Sequence, residues 1–342
     1  MKSHRIAVIP GDGIGTEVCG AARAVLDAVG RKHAIGLTYD EFDWSCARYL
    51  AEGAMMPADG LDRVRHHDAI FLGAVGAPGV PDHVSLWGLL IPIRRGFQQY
   101  VNLRPIKVLG GRRGIDLVVV RENVEGEYSE IGGRLYQGTP AEMAVQEAVF
   151  TRSGVTRIVD YALDLAERRT GRLTSATKSN GIIHTMPFWD EIVAERVAQH
   201  SGVTVQSEHI DALCAKLVLD PARFDVIVAS NLFGDILSDL AAAVAGSIGL
   251  APAANIDPTR AHPSMFEPVH GSAPDIAGRG IANPVGAIWT AAMMLDHLGH
   301  PEAAAAILEA ISHVFATTSM RTPDLGGTAT TVDLTHAILE AL

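Results

Sequence analysis

Short apolar runs alternate along most of this chain with longer stretches in which apolar residues recur every three or four positions. Residues 5–10, 68–74, 115–121 and 224–230 are nearly continuous apolar runs of strand length, the pattern of strands buried on both faces, and 173–178 is a further short β-rich run. Helical periodicity fills 16–32, 154–169, 185–200, 235–246, 284–298 and 302–316, and shorter segments at 49–56 and 61–64 lead into the second strand. Such alternation predicts an α/β fold with a largely parallel sheet. Two Gly/Pro-rich stretches, 73–81 and 252–270, read as loops, the segments that most often carry function in such folds. No internal repeat is visible, and pattern alone does not assign segments to domains.

The 342 residues suffice for about two domains. Hydrophobic residues make up 48% and charged ones 20%, a composition that folds rather than stays disordered. With 28 Lys+Arg against 39 Asp+Glu the formal charge is −11, which argues against a nucleic-acid surface. Cys19, Cys46 and Cys214 are an odd, scattered set, suited to a reducing compartment and not to a disulfide framework or a zinc site. The N-terminal apolar run is too short for a signal-peptide core, and the longest apolar stretches, 240–254 and 284–295, are too short or too broken to cross a bilayer. The expectation is a soluble cytoplasmic protein with no membrane role.

The candidate chemistry lies at a few points. Gly11-Asp-Gly-Ile-Gly15 follows a strand and opens a helix, yet it fails the G-x-G-x-x-G spacing: the sixth position is Thr16 counted from Gly11 and Val18 from Gly13. A tight turn explains it at least as well as a phosphate contact. The run N-L-F-G-D-I-L-S-D (231–239) follows a buried strand, and Asp235 and Asp239, four apart, share one helix face. Like charges so placed repel unless a cation sits between them, and hard oxygen ligands call for Mg²⁺ or Mn²⁺. The competing account, favourable Asp placement at a helix start, covers Asp235 but serves Asp239 poorly.

Arg94, Arg104 and Arg121 each abut apolar runs, where a guanidinium needs an anion beside it. Arg94 reads equally as part of a solvated helix face. For Arg104 and Arg121, a substrate carboxylate and a structural ion pair stand level. Taken with the two acidic metal ligands, they point to a small substrate with more than one carboxylate. Lys178 and Tyr128, taken singly, read as a surface and a core residue; beside a metal and arginines either group can move protons. The segment E-P-V-H-G-S-A-P-D-I (267–276) can wrap a cofactor. Gly271 allows close backbone approach, Ser272 can meet phosphate, and Asp275 can accept from a ribose hydroxyl. Viewed alone it is better explained as a Gly/Pro loop with an N-capping Asp.

Taken together, P-G-D-G-I-G (10–15), N-L-R-P (102–105), V-R-E-N (120–123), E-G-E-Y (125–128), N-L-F-G-D-I-L-S-D (231–239) and E-P-V-H-G-S-A-P-D-I-A-G (267–278) resemble the β-decarboxylating dehydrogenases. That is the isocitrate/isopropylmalate dehydrogenase family, and the resemblance runs in register from Arg5 to the C-terminus. Residues 42–45, 53–57 and 84–91 are most similar to its tartrate/D-malate branch. The resemblance implies a two-domain α/β fold with a mostly parallel sheet that is not a Rossmann fold. Residues 1–99 and 249–342 would form a larger cofactor-binding domain, and 100–248 a smaller inserted domain that dimerises. Active sites would then be shared across a homodimer.

By the same resemblance, Arg94, Arg104 and Arg121 hold the departing carboxylate, with Trp87 and Leu90 beside the substrate. Asp235 and Asp239 bind the divalent metal together with Asp211 of a partner subunit. Lys178, also from the partner, deprotonates the C2 hydroxyl, and Tyr128 protonates the enolate, so Tyr128, Lys178 and Asp211 are the catalytic set. Ile14, Gly249, Glu267, His270, Gly271, Ser272, Ala273, Asp275, Ile276 and Asn283 line the cofactor. The Asp275–Ile276 pair goes with NAD, and K⁺ fits the family pattern. The implied reaction is oxidative decarboxylation of D-malate to pyruvate and CO₂, with oxidation of tartrate. 3-Isopropylmalate is the alternative substrate, since the leucines of 87–92 would also suit an isopropyl group. A catalytically silent regulatory homologue is the reading from another class. Two departures from the family stand out, a shortened linker at 108–114 and the segment W-G-L-L-I-P (87–92) before Arg94, where isocitrate enzymes carry Ser and Asn and isopropylmalate enzymes Glu followed by leucines.

Overall fold

The computed structural model describes residues 2–109 and 114–342, so the middle of the short linker, 110–113, lies outside the described residues. The strands, in chain order, are β1 (Ser3–Gly11), β2 (Gly36–Glu41), β3 (Ala69–Ala74), β4 (Val101–Lys107), β5 (Asp116–Glu122), β6 (Gly132–Leu135), β7 (Met143–Gln146), β8 (Arg172–Thr177), β9 (Thr204–His209), β10 (Val226–Ala229), β11 (Pro252–Ile256) and β12 (Ser264–Pro268). The chain forms two compact units. Unit 1 comprises Met1–Gln99, Leu103–Ile115 and Ala242–Leu342; unit 2 comprises Tyr100–Asn102 and Asp116–Ala241. Relative to the division expected from the resemblance, unit 1 also holds Leu103–Ile115 and residues 242–248. Among the described residues no helix is long and apolar enough to cross a membrane.

Unit 1 orders its strands β2-β1-β3-β12-β11-β4. β1 runs parallel to β2 and β3, and β3 to β12, while β11 is antiparallel to β12. This order is not that of a Rossmann sheet. β3 is buried at every position, which is why its sequence shows no alternation. The helix Gly15–Lys32 buries Val18, Ala22, Val25 and Val29 on one face. The helix Val285–His297 is buried nearly all round, which explains its uniformly apolar sequence. The stretch 252–270, expected to be a loop, is instead the buried strand pair β11 and β12 with a short connection. Its prolines disguise the strands in the sequence. Pro252 and Pro268 face each other at strand ends, where a missing N–H costs no ladder bond.

The Gly11–Gly15 turn is set by close packing. A Cβ on Gly11 would lie 1.9 Å from the Ala74 carbonyl oxygen, and one on Gly13 2.1 Å from that of Ser272. Both glycines have positive φ. The buried Asp12 carboxylate accepts from the backbone N–H of Cys46 (3.0 Å) and Gly76 (3.1 Å), tying the turn to the segment after β3.

Unit 2 contains the wholly parallel order β5-β10-β8-β9 and the antiparallel hairpin β6–β7. Helix Arg152–Glu167, capped by the Thr151 hydroxyl, buries Val155, Ile158, Val159 and Leu163 against β5, β10 and β8. β9 has no buried position and carries no apolar run, so pattern reading passes over it. The helix expected at 235–246 begins four residues earlier and spans Asn231–Ala245, which puts Asp235 in its second turn and removes the helix-start account of that residue.

At the end of β5, Glu122 is buried. One carboxylate oxygen accepts from the N–H groups of Val124 (3.0 Å) and Glu125 (2.8 Å), and the other faces the Arg157 guanidinium at 3.8 Å. Burial pushes this carboxyl up to about 7 from 4.5, outweighing the N–H donors and Arg157. The native state therefore holds a proton that the unfolded chain releases, and stability falls as pH rises from 4.5 through 7. Glu122→Gln is expected to remove roughly 1–3 kcal/mol of that decline, read by urea denaturation across the window. An unchanged slope would refute it.

Candidate active site

In unit 1 the helix Ile91–Gly96 carries Arg94, β4 carries Arg104, and β12 carries Glu267. With Leu90, His270 and Gly271 these side chains line a cavity of about 140 Å³ at the carboxyl ends of β3 and β12. Arg94 donates to Glu267 Oε1 at 2.7 Å, an oxygen that also accepts from Asn255 Nδ2 at 2.7 Å. Both members of the ion pair are under a tenth exposed. Arg94 Nε is buried without a hydrogen bond, so the guanidinium keeps donor capacity. Glu267, expected along the cofactor, thus also neutralises a substrate-type arginine. Trp87 lies under the Arg95 guanidinium, 5.1 Å from it, and is not part of the cavity wall, whereas Leu90 is.

The residues expected around the cofactor fall into two groups within unit 1. Ile14 N–H donates to the Ser272 carbonyl at 2.9 Å, which brings the glycine turn against Gly271, Ser272 and Ala273. Ala273 has φ +39, a strained value for a residue with a side chain. Asp275 is exposed and Ile276 half-buried in the turn that follows. In the second group, Asp324 Oδ2 accepts from Asn283 Nδ2 (3.0 Å) and Ser247 Oγ (2.6 Å), and a Cβ on Gly249 would meet that same oxygen at 3.0 Å. Sequence reasoning missed Asp324; its one signal was the T-P-D-L-G-G run at 322–327. His270 Nδ1 lies 3.0 Å from the Gly271 carbonyl, Nε2 is buried without a partner, and burial lowers the imidazole pKa.

In unit 2, Arg121 is 2% exposed at the end of β5. Its Nε and one terminal nitrogen donate to Asn231 Oδ1 at 3.0 and 2.8 Å, and the other terminal nitrogen pairs with Asp235 Oδ1. The Tyr128 hydroxyl donates to Asp235 Oδ2 at 2.8 Å, and the Arg121 guanidinium sits 5.4 Å over the tyrosine ring. Gly234 makes this possible, because a Cβ there would come within 2.6 Å of Arg121 Cβ. Glu127 secures the helix start, accepting from Ser230 Oγ (2.7 Å) and Leu232 N–H (3.0 Å). Asn231 and Glu127 also escaped sequence reasoning, although both lie inside the quoted motifs.

Lys178 follows β8 and Asp211 opens the helix after β9, and they pair at 2.6 Å. That ammonium holds the Asp211 carboxyl below the usual range. Arg121 and Asn231 lie at the ends of β5 and β10, the other two strands of the β5-β10-β8-β9 order. Unit 2 therefore presents both groups at the carboxyl ends of its parallel strands.

Asp235 and Asp239 share a helix face, with Asp235 half-buried and Asp239 exposed. Asp235 accepts from Arg121 and Tyr128. The all-oxygen donor set fits Mg²⁺ or Mn²⁺. Asp211 does not join these two within one chain. The one three-member group with metal-ligand spacing among the described residues is the surface set Asp164, Glu167 and His200. The orphaned His270 Nε2 and the polar cluster of Asn283 and Asp324 likewise fit a ligand with donor and acceptor groups.

A family model described as isocitrate/isopropylmalate dehydrogenase matches residues 5–341. A probable tartrate dehydrogenase/decarboxylase of Bacillus subtilis (strain 168) is 52% identical, covering 100% of this chain and 99% of that protein. A D-malate dehydrogenase [decarboxylating] of Escherichia coli (strain K12) is 51% identical, covering 100% and 99%. Among solved structures, an isocitrate dehydrogenase from Methylococcus capsulatus superposes with TM-score 0.90 at 36% identity, covering 99% of each chain. A β-decarboxylating dehydrogenase from Thermococcus kodakarensis gives TM-score 0.82 at 40% identity, covering 99% and 96%.

Proposed function

Since this chain belongs to the isocitrate/isopropylmalate dehydrogenase family and is a decarboxylating dehydrogenase, we propose that its substrate is D-malate, converted to pyruvate and CO₂, with tartrate oxidised as well. The observation carrying this reading is full-length identity near half to relatives named for tartrate and D-malate. Burial of Arg94 and Arg104 around a small cavity supports a compact dicarboxylate.

NAD and a divalent metal would supply the hydride acceptor and positive charge beside the developing ketone oxygen. Ile14, His270, Ser272, Asn283 and their neighbours would hold the dinucleotide; Asp235 and Asp239, with Asp211 of a second copy, would hold the metal. The chain's own residues do the rest. Arg94, Arg104 and Arg121 fix the departing carboxylate so that its breaking bond aligns with the carbonyl π-system. Lys178 takes the C2 hydroxyl proton, and Tyr128 returns a proton to carbon after CO₂ leaves.

A homodimer built through unit 2 is part of this proposal. The hairpin β6–β7 and its flanks leave Ile131, Leu135, Tyr136, Met143 and Val145 exposed, more apolar surface in one place than a lone subunit usually shows.

The test is NADH formation with Mn²⁺ and K⁺ present, comparing D-malate with 3-isopropylmalate. A higher kcat/KM for D-malate is expected. Preference for 3-isopropylmalate would assign the apolar wall of Leu72, Val75 and Leu90 to an isopropyl group. No turnover of either would leave a silent homologue.

A further inference from the structure

Unit 1 has a second, larger cavity at the other end of the same strands. About 360 Å³ in volume, it is walled by His4, Arg65, His66, Arg260, His262 and His297. His4 is the second residue of β1, Asp68 immediately precedes β3, and Pro263 immediately precedes β12. The cavity thus opens at the amino ends of three adjacent parallel strands. The Arg94–Arg104 cavity lies at the carboxyl ends of two of them, a strand length of roughly 20 Å away.

Its charge is one-sided. Asp68 is the single carboxylate on the wall, and it already accepts from the Arg5 N–H at 2.7 Å. Asp257, behind His262, is occupied by the Thr259 N–H and hydroxyl and by the His262 N–H. Among the described residues Asp62, itself exposed, is the one carboxylate Arg65 reaches, at 3.4 Å, and its guanidinium lies 5.6 Å from the Phe97 ring. Arg260 has no carboxylate partner among the described residues, and it holds φ +58, a conformation a side chain rarely adopts. His262 Nδ1 is buried without a hydrogen bond, although Asp257 Oδ2 lies 3.4 Å from it. Burial and Arg260 lower His297 to about 4, so at neutral pH the positive charge belongs to the guanidiniums and that imidazole is a neutral donor. In a chain of formal charge −11, such a cavity is a local exception.

We propose that this cavity binds a small oxyanion carrying two or more negative charges, held between the Arg65 and Arg260 guanidiniums with imidazole N–H groups beside them. Planar guanidinium forks match phosphate and carboxylate oxygens alike, and the cavity has room for either kind of small polyanion. The anion supplies the counter-charge that Arg260 lacks. β12 runs from this cavity to Glu267 and Pro268, which line the Arg94–Arg104 cavity.

Isothermal titration of the full chain in metal-free buffer, with inorganic pyrophosphate and separately with citrate, tests this directly and needs no turnover. Ionic strength is held constant with sodium chloride. Saturable one-site binding of at least one probe is expected, weakened roughly tenfold or more by Arg260→Gln and by Arg65→Gln. Preference between the probes identifies a phosphate or a polycarboxylate ligand. Arg104→Gln separates the two cavities, because binding here persists in it. Loss in Arg104→Gln with retention in Arg260→Gln and Arg65→Gln overturns the proposal, as does absence of saturable binding at matched ionic strength. Should Arg260→Gln unfold, the exposed Arg65→Gln decides the outcome.

Discussion

Replacing Glu267 with alanine is expected to cost about 3–5 kcal/mol of folding stability, because it strands Arg94 as a buried charge. Arg94 is 6% exposed, and Glu267 is the carboxylate that its terminal nitrogen meets at 2.7 Å. The same oxygen accepts from Asn255, so truncation also removes one buried hydrogen bond from that amide, whose Nδ2 lies 3.4 Å from the Met265 carbonyl as well. Urea denaturation at neutral pH reads the loss. Glu267→Gln retains an acceptor for Asn255 and should cost less. The double variant Arg94→Leu/Glu267→Leu should recover much of the deficit, since with both charges gone no uncompensated ion remains. A loss below about 1 kcal/mol in Glu267→Ala would mean that water or other donors and acceptors reach the pair, which its burial argues against.

That pair also marks a boundary of what a sequence reveals. Arg94 and Glu267 are 173 positions apart, and nothing in periodicity or spacing links them. The buried strands β3, β5 and β10 and the helix Gly15–Lys32 were legible because burial forces apolar residues into continuous runs or a single face. β2 and β9 were not, since strands with exposed side chains need no such run. β11 and β12 were hidden by prolines that sit at their ends. Motif resemblance located Arg121, Tyr128 and Asp235. The reason they can meet is steric: Gly234 gives up a side chain so that Arg121 can lie against the helix, and Asn231 takes two of its donors. Those are properties of packed backbones, visible only once the chain is folded.

The same cluster yields the largest expected effect on activity. On the proposed reaction, Tyr128→Phe should lower kcat by about 10²–10⁴-fold, the range for losing a positioned proton donor. Its hydroxyl points at Asp235 Oδ2 at 2.8 Å, while Asp235 Oδ1 is held independently by Arg121. Removing one oxygen atom therefore leaves the carboxylate anchored and keeps the aromatic face under the Arg121 guanidinium. KM for D-malate should change little, because the arginines that would bind the carboxylate are untouched, and stability should shift by less than about 1 kcal/mol. Steady-state kinetics and thermal denaturation of the same preparation separate the cases. A drop in kcat at near-constant KM and stability is the signature of a proton donor. A raised KM with unaltered kcat would make the tyrosine a packing support for Arg121 and Asp235. The return of a proton to carbon would then belong to another group or to water.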